Sequence, residues 1–152
     1  QQDWEGVFFQ QLDFVAPKGE IEVRGKGRLI GDGDDTPSPE DGTHFGEAVL
    51  DETSATQTFV IQNIGQGKLW FVGDPTISIA GENAGDFTLE YTPVAFLPPD
   101  GALDVKVTFR PSGTGLRRAT VVIVNPHESE IDAEARFVVR GTAGQALPLL
   151  LM

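Results

Sequence analysis

The stretch "LDVKVTFRP", residues 103–111, alternates apolar and polar side chains with a period of two. Its apolar positions are Leu103, Val105, Val107 and Phe109. A period of two places these side chains on one face of a β-strand and the polar ones on the other. The stretch therefore predicts a strand with one buried and one solvated face, as in a β-sandwich.

The same pattern recurs on both sides of this stretch, in "ATVVIVNP" (residues 119–126) and "ARFVVRG" (residues 135–141). The further positions predicted to face inward are Phe59, Ile61, Ala119, Val121, Ile123, Ala135, Phe137 and Val139. Glycines (18) and prolines (10) separate the short apolar runs throughout the chain. Such punctuation predicts an all-β, immunoglobulin-like sandwich of about seven strands.

Composition divides the 152 residues into four parts. Residues 1–30 are an N-terminal β extension, in which "EIEVRGKGRLI" (residues 20–30) is typical of a hairpin or a donor strand. Residues 31–43 contain Asp, Gly, Pro and Ser without a large apolar residue, which predicts a linker. Residues 44–142 form the sandwich, and we expect them to close its core unaided. Residues 143–152 are an apolar tail.

Residues 44–142 resemble the bacterial choice-of-anchor D repeat, which is similar to the abnormal-spindle and hydin-type (ASH) immunoglobulin-like module. The matching segments include "FVIQNIGQGKLWF" (residues 59–71), "GENAGDFTL" (residues 81–89) and "VKVTFRPSGTG" (residues 105–115). The residues on the family's positions are Phe59, Asn63, Gly65, Phe87, Phe109, Pro111, Gly115 and Gly141. The resemblance implies an extracellular, often repeated, non-enzymatic module, and residues 20–27 would then resemble the last strand of a preceding repeat.

Charge and cysteine content exclude several classes of function. The net charge of −12 arises from 23 acidic and 11 basic residues, which disfavours nucleic acid as a partner because phosphates require clustered Lys and Arg. The absence of Cys excludes disulfides and thiol chemistry. No apolar run is long enough to span a membrane. We expect an extracellular or cell-surface chain from which a signal peptide has been removed.

No catalytic constellation is present, and we expect no enzymatic activity and no cofactor. His44 and His127 lack metal-ligand spacing. The glycines of "GKGRLIGDGD" (residues 25–34) lack the spacing of a phosphate-binding loop. A calcium site in the acidic loop is the one weak alternative, since calcium takes oxygen ligands. Its candidate ligands are Asp32, Asp34, Asp35 and Asp41, and the competing interpretation is a solvated linker.

Tight turns use residues that tolerate positive φ, and we predict this role for Asn63 and Gly65 after the second sandwich strand. Apolar residues predicted to face outward, together with both apolar termini, indicate a contact between subunits. The contact candidates are Trp4, Val7, Phe8, Phe9, Leu12, Phe14, Val15, Val60, Val122, Val124, Val138, Leu147, Leu149 and Leu150.

The leading functional hypothesis is a structural subunit of a filament, sheath or adhesin stalk. A terminal segment, with the N-terminal one favoured, would add a strand to a neighbouring copy and so grow a head-to-tail homopolymer. Its rival is fold-back of that segment on its own domain. Two other hypotheses remain open: a stand-alone protein- or glycan-binding module, which an exposed Trp70 or Tyr91 would favour, and a cytoplasmic scaffold module.

Overall fold

The computed structural model of the chain describes residues 17–52, 56–124 and 134–144. The described strands are β1 (Ile21–Gly25), β2 (Arg28–Ile30), β3 (His44–Val49), β4 (Thr56–Asn63), β5 (Leu69–Trp70), β6 (Ile77–Ala80), β7 (Phe87–Glu90), β8 (Phe96–Leu97), β9 (Ala102–Phe109), β10 (Gly115–Val124) and β11 (Glu134–Gly144). One turn of 3₁₀-helix, Ala84–Asp86, precedes β7. Within these ranges no helix is long and apolar enough to cross a membrane.

Two sheets form an immunoglobulin-like sandwich, which confirms the predicted fold class. One sheet has the order β2-β1-β4-β9-β7, and the other has the order β3-β11-β10-β6. Seven of these strands come from residues 44–144, and β1 and β2 come from the N-terminal extension. A separate two-stranded ribbon pairs β5 with β8.

The core consists of the inward faces that the alternation predicts. Leu103, Val105, Val107 and Phe109 of β9 are all buried, as are the inward positions predicted on β4, β10 and β11. Three aromatic rings pack near one end of the sandwich, where Phe87 stacks on Phe109 at 4.9 Å and meets the edge of Phe45 at 5.8 Å. Large aromatic side chains dominate such cores because each buries a large apolar area.

The N-terminal hairpin is part of the same sheet as the sandwich strands. β1 pairs antiparallel with β2 and with β4, and Val23 lies opposite both Ile30 and Ile61. Val23 and Ile30 belong to the hydrophobic core. The core therefore extends beyond residues 44–142, the range that we expected to close it alone.

The acidic loop between β2 and β3 lies along β11 by means of backbone hydrogen bonds. Gly33 N donates to Arg136 O at 2.8 Å, and Val138 N donates to Asp34 O at 3.0 Å. Asp41 and Thr43 near the end of the loop are buried. Although the composition is that of a linker, part of the segment thus packs against the four-stranded sheet.

Candidate interaction surface

The β5–β8 ribbon turns one apolar face to the core and another to solvent. Leu69 pairs with Leu97 and Trp70 pairs with Phe96, and Phe71 N donates to Ala95 O, which continues the register by one residue. Leu69, Phe71 and Leu97 are buried in the core. The alternation of β-strands therefore directs the paired side chains of Trp70 and Phe96 outward.

The outer face of this ribbon is apolar and exposed. Trp70 is 49% exposed, Val72 44% and Val94 37%. The rings of Trp70 and Phe96 lie 5.0 Å apart, and Lys68 Nζ lies 4.5 Å from the centroid of Phe96 and 5.5 Å from that of Trp70. A cation over aromatic rings is attracted by their quadrupole. We call the set Lys68, Trp70, Val72, Val94 and Phe96 the ribbon face.

Asn63 holds the ribbon and the segment before β1 to the sandwich. Its side chain is fully buried. Oδ1 accepts from Glu20 N at 3.0 Å and from Gly65 N at 2.9 Å, while Nδ2 donates to Gly67 O at 2.7 Å and to Leu97 O at 2.9 Å. The amide thus satisfies four backbone groups.

The prediction that Asn63 and Gly65 are needed for a positive φ is wrong. Neither is among the described residues with φ above zero. Asn63 acts through its side chain. Gly65 acts through lack of a side chain, since a Cβ there would lie 2.6 Å from Glu20 N. The close approach of residues 18–20 therefore requires glycine.

Asp86 closes the opposite end of the sandwich. Its carboxylate is buried, with Oδ2 accepting from Arg117 Nε at 2.6 Å and Oδ1 accepting from Ser112 Oγ at 2.7 Å. Burial alone would raise the pKa of Asp86, but the hydrogen bonds from Ser112 and Arg117 outweigh it and hold the pKa below its ordinary value. Sequence reasoning assigned no role to Asp86, although it belongs to the Asp-Phe pair of the quoted motif.

The described chain begins at one end of the sandwich and stops at the other. At the Asn63 end, Gly67 N donates to Lys18 O, and Asn63 N donates to Gly101 O just before β9. At the Asp86 end, Leu50 N donates to Gly144 O, and Asp51 N donates to Pro111 O just after β9. β9 has eight residues, so these ends are separated by roughly 23 Å at 3.3 Å per residue.

The predicted contact candidates do not form one surface. Val60 lies on β4 and faces outward from the five-stranded sheet, whereas Val122, Val124 and Val138 face outward from the four-stranded sheet. All four are half-buried. The candidates outside the described residues are Trp4, Val7, Phe8, Phe9, Leu12, Phe14, Val15, Leu147, Leu149 and Leu150.

Three of the four calcium candidates accept a hydrogen bond from a backbone N–H. Asp32 Oδ1 accepts from Arg136 N, Asp34 Oδ1 from Thr36 N, and Asp41 Oδ1 from Thr43 N, each at 2.9 Å. Among the described residues, no group of three or more His, Asp or Glu side chains is placed to hold a metal ion. His44 Nδ1 accepts from Gly46 N at 2.9 Å, and His127 lies outside the described residues.

Comparisons with known proteins support the fold alone. A structure of a Porphyromonas gingivalis W83 protein of unknown function is 15% identical with a TM-score of 0.56, and the match covers 87% of this chain. This chain spans 50% of that protein. The ASH/PapD-like domain 7 of human CEP192 is 19% identical with a TM-score of 0.47, and the match covers 89% of this chain and 93% of that domain.

The N-terminal domain of PorA is 14% identical with a TM-score of 0.43, and the match covers 82% of this chain and 97% of that domain. No family model matches the chain, and no curated protein matches it. The resemblance to the choice-of-anchor D repeat therefore stays a prediction, whereas the immunoglobulin-like sandwich is established by the strand order and the core.

Proposed function

We propose that the chain is a non-enzymatic structural module of an extracellular or cell-surface assembly. Subunits join head-to-tail when a terminal segment of one copy docks on the next. The partner is thus another copy of the chain, and neither a cofactor nor a catalytic residue is required.

The observation that carries this proposal is the position of the chain ends. Residue 17 lies at the Asn63 end and residue 144 at the Asp86 end. Apolar segments lie beyond both, "WEGVFFQQLDFV" (residues 4–15) and "ALPLLLM" (residues 146–152). A donor at one end and an acceptor at the other make a heterologous contact, which grows an open chain of subunits instead of closing as a dimer.

Charged substitutions in each terminal segment test this proposal in the full chain. Leu149→Glu with Leu150→Glu places two carboxylates in the C-terminal segment, and Phe8→Glu with Leu12→Glu does so in the N-terminal one. Gln10→Glu with Gln11→Glu adds the same charge at polar positions and is the matched control. Sedimentation velocity at rising concentration should show large species for the wild type and the control, and their loss for at least one apolar pair. A wild type that stays monomeric contradicts the proposal.

A second function, a protein- or glycan-binding module, is supported by the exposure of Trp70 on the ribbon face. Tyr91 is a weaker candidate for ligand binding, because its hydroxyl already accepts a hydrogen bond from Ile77 N at 3.2 Å. If the ribbon face binds a ligand, Trp70→Ala should abolish binding on a glycan array or to a displayed peptide library. Leu116→Ala, at a similarly exposed residue on β10, should leave binding unchanged.

A further inference from the structure

The ribbon face exposes more large apolar side chains than other parts of the described surface. It carries three of the six large apolar side chains that are exposed within residues 17–52, 56–124 and 134–144. The others are Leu116 on β10 and the pair Leu29 and Ile64, which line one cavity beside β1. Trp70 and Phe96 share one face of the two-stranded ribbon, and Val72 and Val94 each lie two residues from one of them along the chain. Exposed apolar side chains grouped in this way usually mark a contact.

The start of the described chain lies beside this surface. Gly67, whose N–H donates to Lys18 O, is two residues before β5. Gly19 packs on the backbone of β5, since a Cβ there would lie 2.6 Å from both Leu69 N and Lys68 O. Pro17, to which residues 1–16 are covalently joined, therefore lies at the edge of the ribbon.

The tethered segment matches the ribbon face in chemistry. Residues 4–15 contain Trp4, Val7, Phe8, Phe9, Leu12, Phe14 and Val15. Residues 1–16 contain Asp3, Glu5 and Asp13 but no Lys or Arg, which complements the exposed ammonium group of Lys68. We infer that residues 4–15 of the same molecule cover the ribbon face.

Tethering favours the same molecule over a neighbour. Twelve residues span up to about 40 Å when extended, so the segment reaches the whole ribbon from Pro17. A covalently attached segment is present at a high effective concentration, which a segment from another copy must exceed. A donor tethered beside its own acceptor is also poorly placed to extend a filament.

This inference goes beyond the proposed function and bears on it in one respect. If the N-terminal segment covers its own ribbon, the head-to-tail link of the proposed function falls to residues 145–152, which follow Gly144 at the Asp86 end. That assignment rests on the proposed function, whereas the covering of the ribbon does not.

Fluorescence of Trp70 tests the covering directly, because the chain has two tryptophans and Trp4→Phe leaves Trp70 as the single reporter. In this background, acrylamide quenching is measured for the full chain, for Phe8→Glu with Leu12→Glu, and for the control Gln10→Glu with Gln11→Glu. We expect the apolar pair to raise the quenching constant and shift the emission to the red. The control should stay protected, and these results should hold at every protein concentration.

Two outcomes would overturn the inference. If quenching is the same in all three proteins, residues 4–15 do not cover Trp70. If protection appears only as concentration rises, the cover comes from another molecule. Circular dichroism melting of each variant verifies that the sandwich remains folded. Sedimentation of the same samples reports on assembly separately, so an assembling protein with an uncovered Trp70 contradicts the inference and leaves the proposed function intact.

Discussion

The two ends of the sandwich are each closed by one buried polar side chain, but the chemistry differs. Asn63 is neutral, and its four partners are backbone groups of residues 20, 65, 67 and 97. Asp86 is charged, and the side chains of Ser112 and Arg117 hold it. The first end therefore depends on the path of the backbone and its glycines, whereas the second depends on charge and hence on pH.

The largest expected effect is at the neutral end. Asn63→Ala removes four hydrogen bonds and leaves their backbone partners without the amide. Each buried polar group that loses its partner costs about 1–3 kcal/mol, so we expect a loss of about 4 kcal/mol or more in the free energy of unfolding by urea. Asn83→Ala is the matched control, since Asn83 Oδ1 accepts one exposed hydrogen bond, from Arg118 N. Equal losses of unfolding free energy in Asn63→Ala and Asn83→Ala would contradict the role assigned to Asn63.

A smaller effect is expected at the charged end. Asp86→Asn leaves the Arg117 guanidinium without its ion-pair partner, and Arg117 is itself partly exposed. Breaking a fully buried pair costs 3–5 kcal/mol, and the exposure of Arg117 reduces this to about 2 kcal/mol at pH 7. Asp104→Asn on the outer face of β9 changes the same charge and should alter urea unfolding by less than about 0.5 kcal/mol.

The pH dependence separates the two ends. The pKa of Asp86 is lower in the folded than in the unfolded chain, so its contribution to stability is fully present above the unfolded value of about 3.9 and is lost as pH falls through the lower folded value. The difference in free energy of unfolding between the wild type and Asp86→Asn, measured by urea titration, should therefore decrease below about pH 4. The loss of unfolding free energy in Asn63→Ala should stay constant over the same pH range. If it decreases together with that of Asp86→Asn, the two ends do not differ in their dependence on charge.

We expect the smallest effect from calcium. The carboxylates of the acidic loop accept hydrogen bonds from Arg136, Thr36 and Thr43. We expect the melting temperature to be the same in millimolar calcium and in chelator. A rise in calcium that Asp34→Ala with Asp35→Ala abolishes would instead establish a site by mass action.

The sandwich strands were predictable because burial on one face imposes a period of two. Every inward position named on β4, β9, β10 and β11 is buried. Only the first strand of the ribbon could be predicted from the sequence. Residues 69–72 have the apolar character of a strand, but β8 has two residues and is followed by two prolines. So short a partner carries no periodic signal, and without it the outward direction of Trp70 could not be assigned.

Long-range polar contacts were the other part that the sequence could not specify. The Asn-x-Gly motif located a turn and the two local partners of Asn63, but its other two partners lie 43 residues before it and 34 after it. Arg117 and Asp86 are likewise 31 residues apart. Periodicity reports which face is buried, whereas the pairing of distant polar groups depends on strand order, which the pattern of one sequence does not encode.

Electron microscopy of the full chain across a concentration series, with light scattering on the same samples, tests the central claim that subunits join head-to-tail. We expect linear particles whose mean mass keeps rising with concentration, and we expect Leu149→Glu with Leu150→Glu to abolish them. A monomer at every concentration, or a dimer that grows no further, would contradict the claim that this sandwich is a unit of an open assembly.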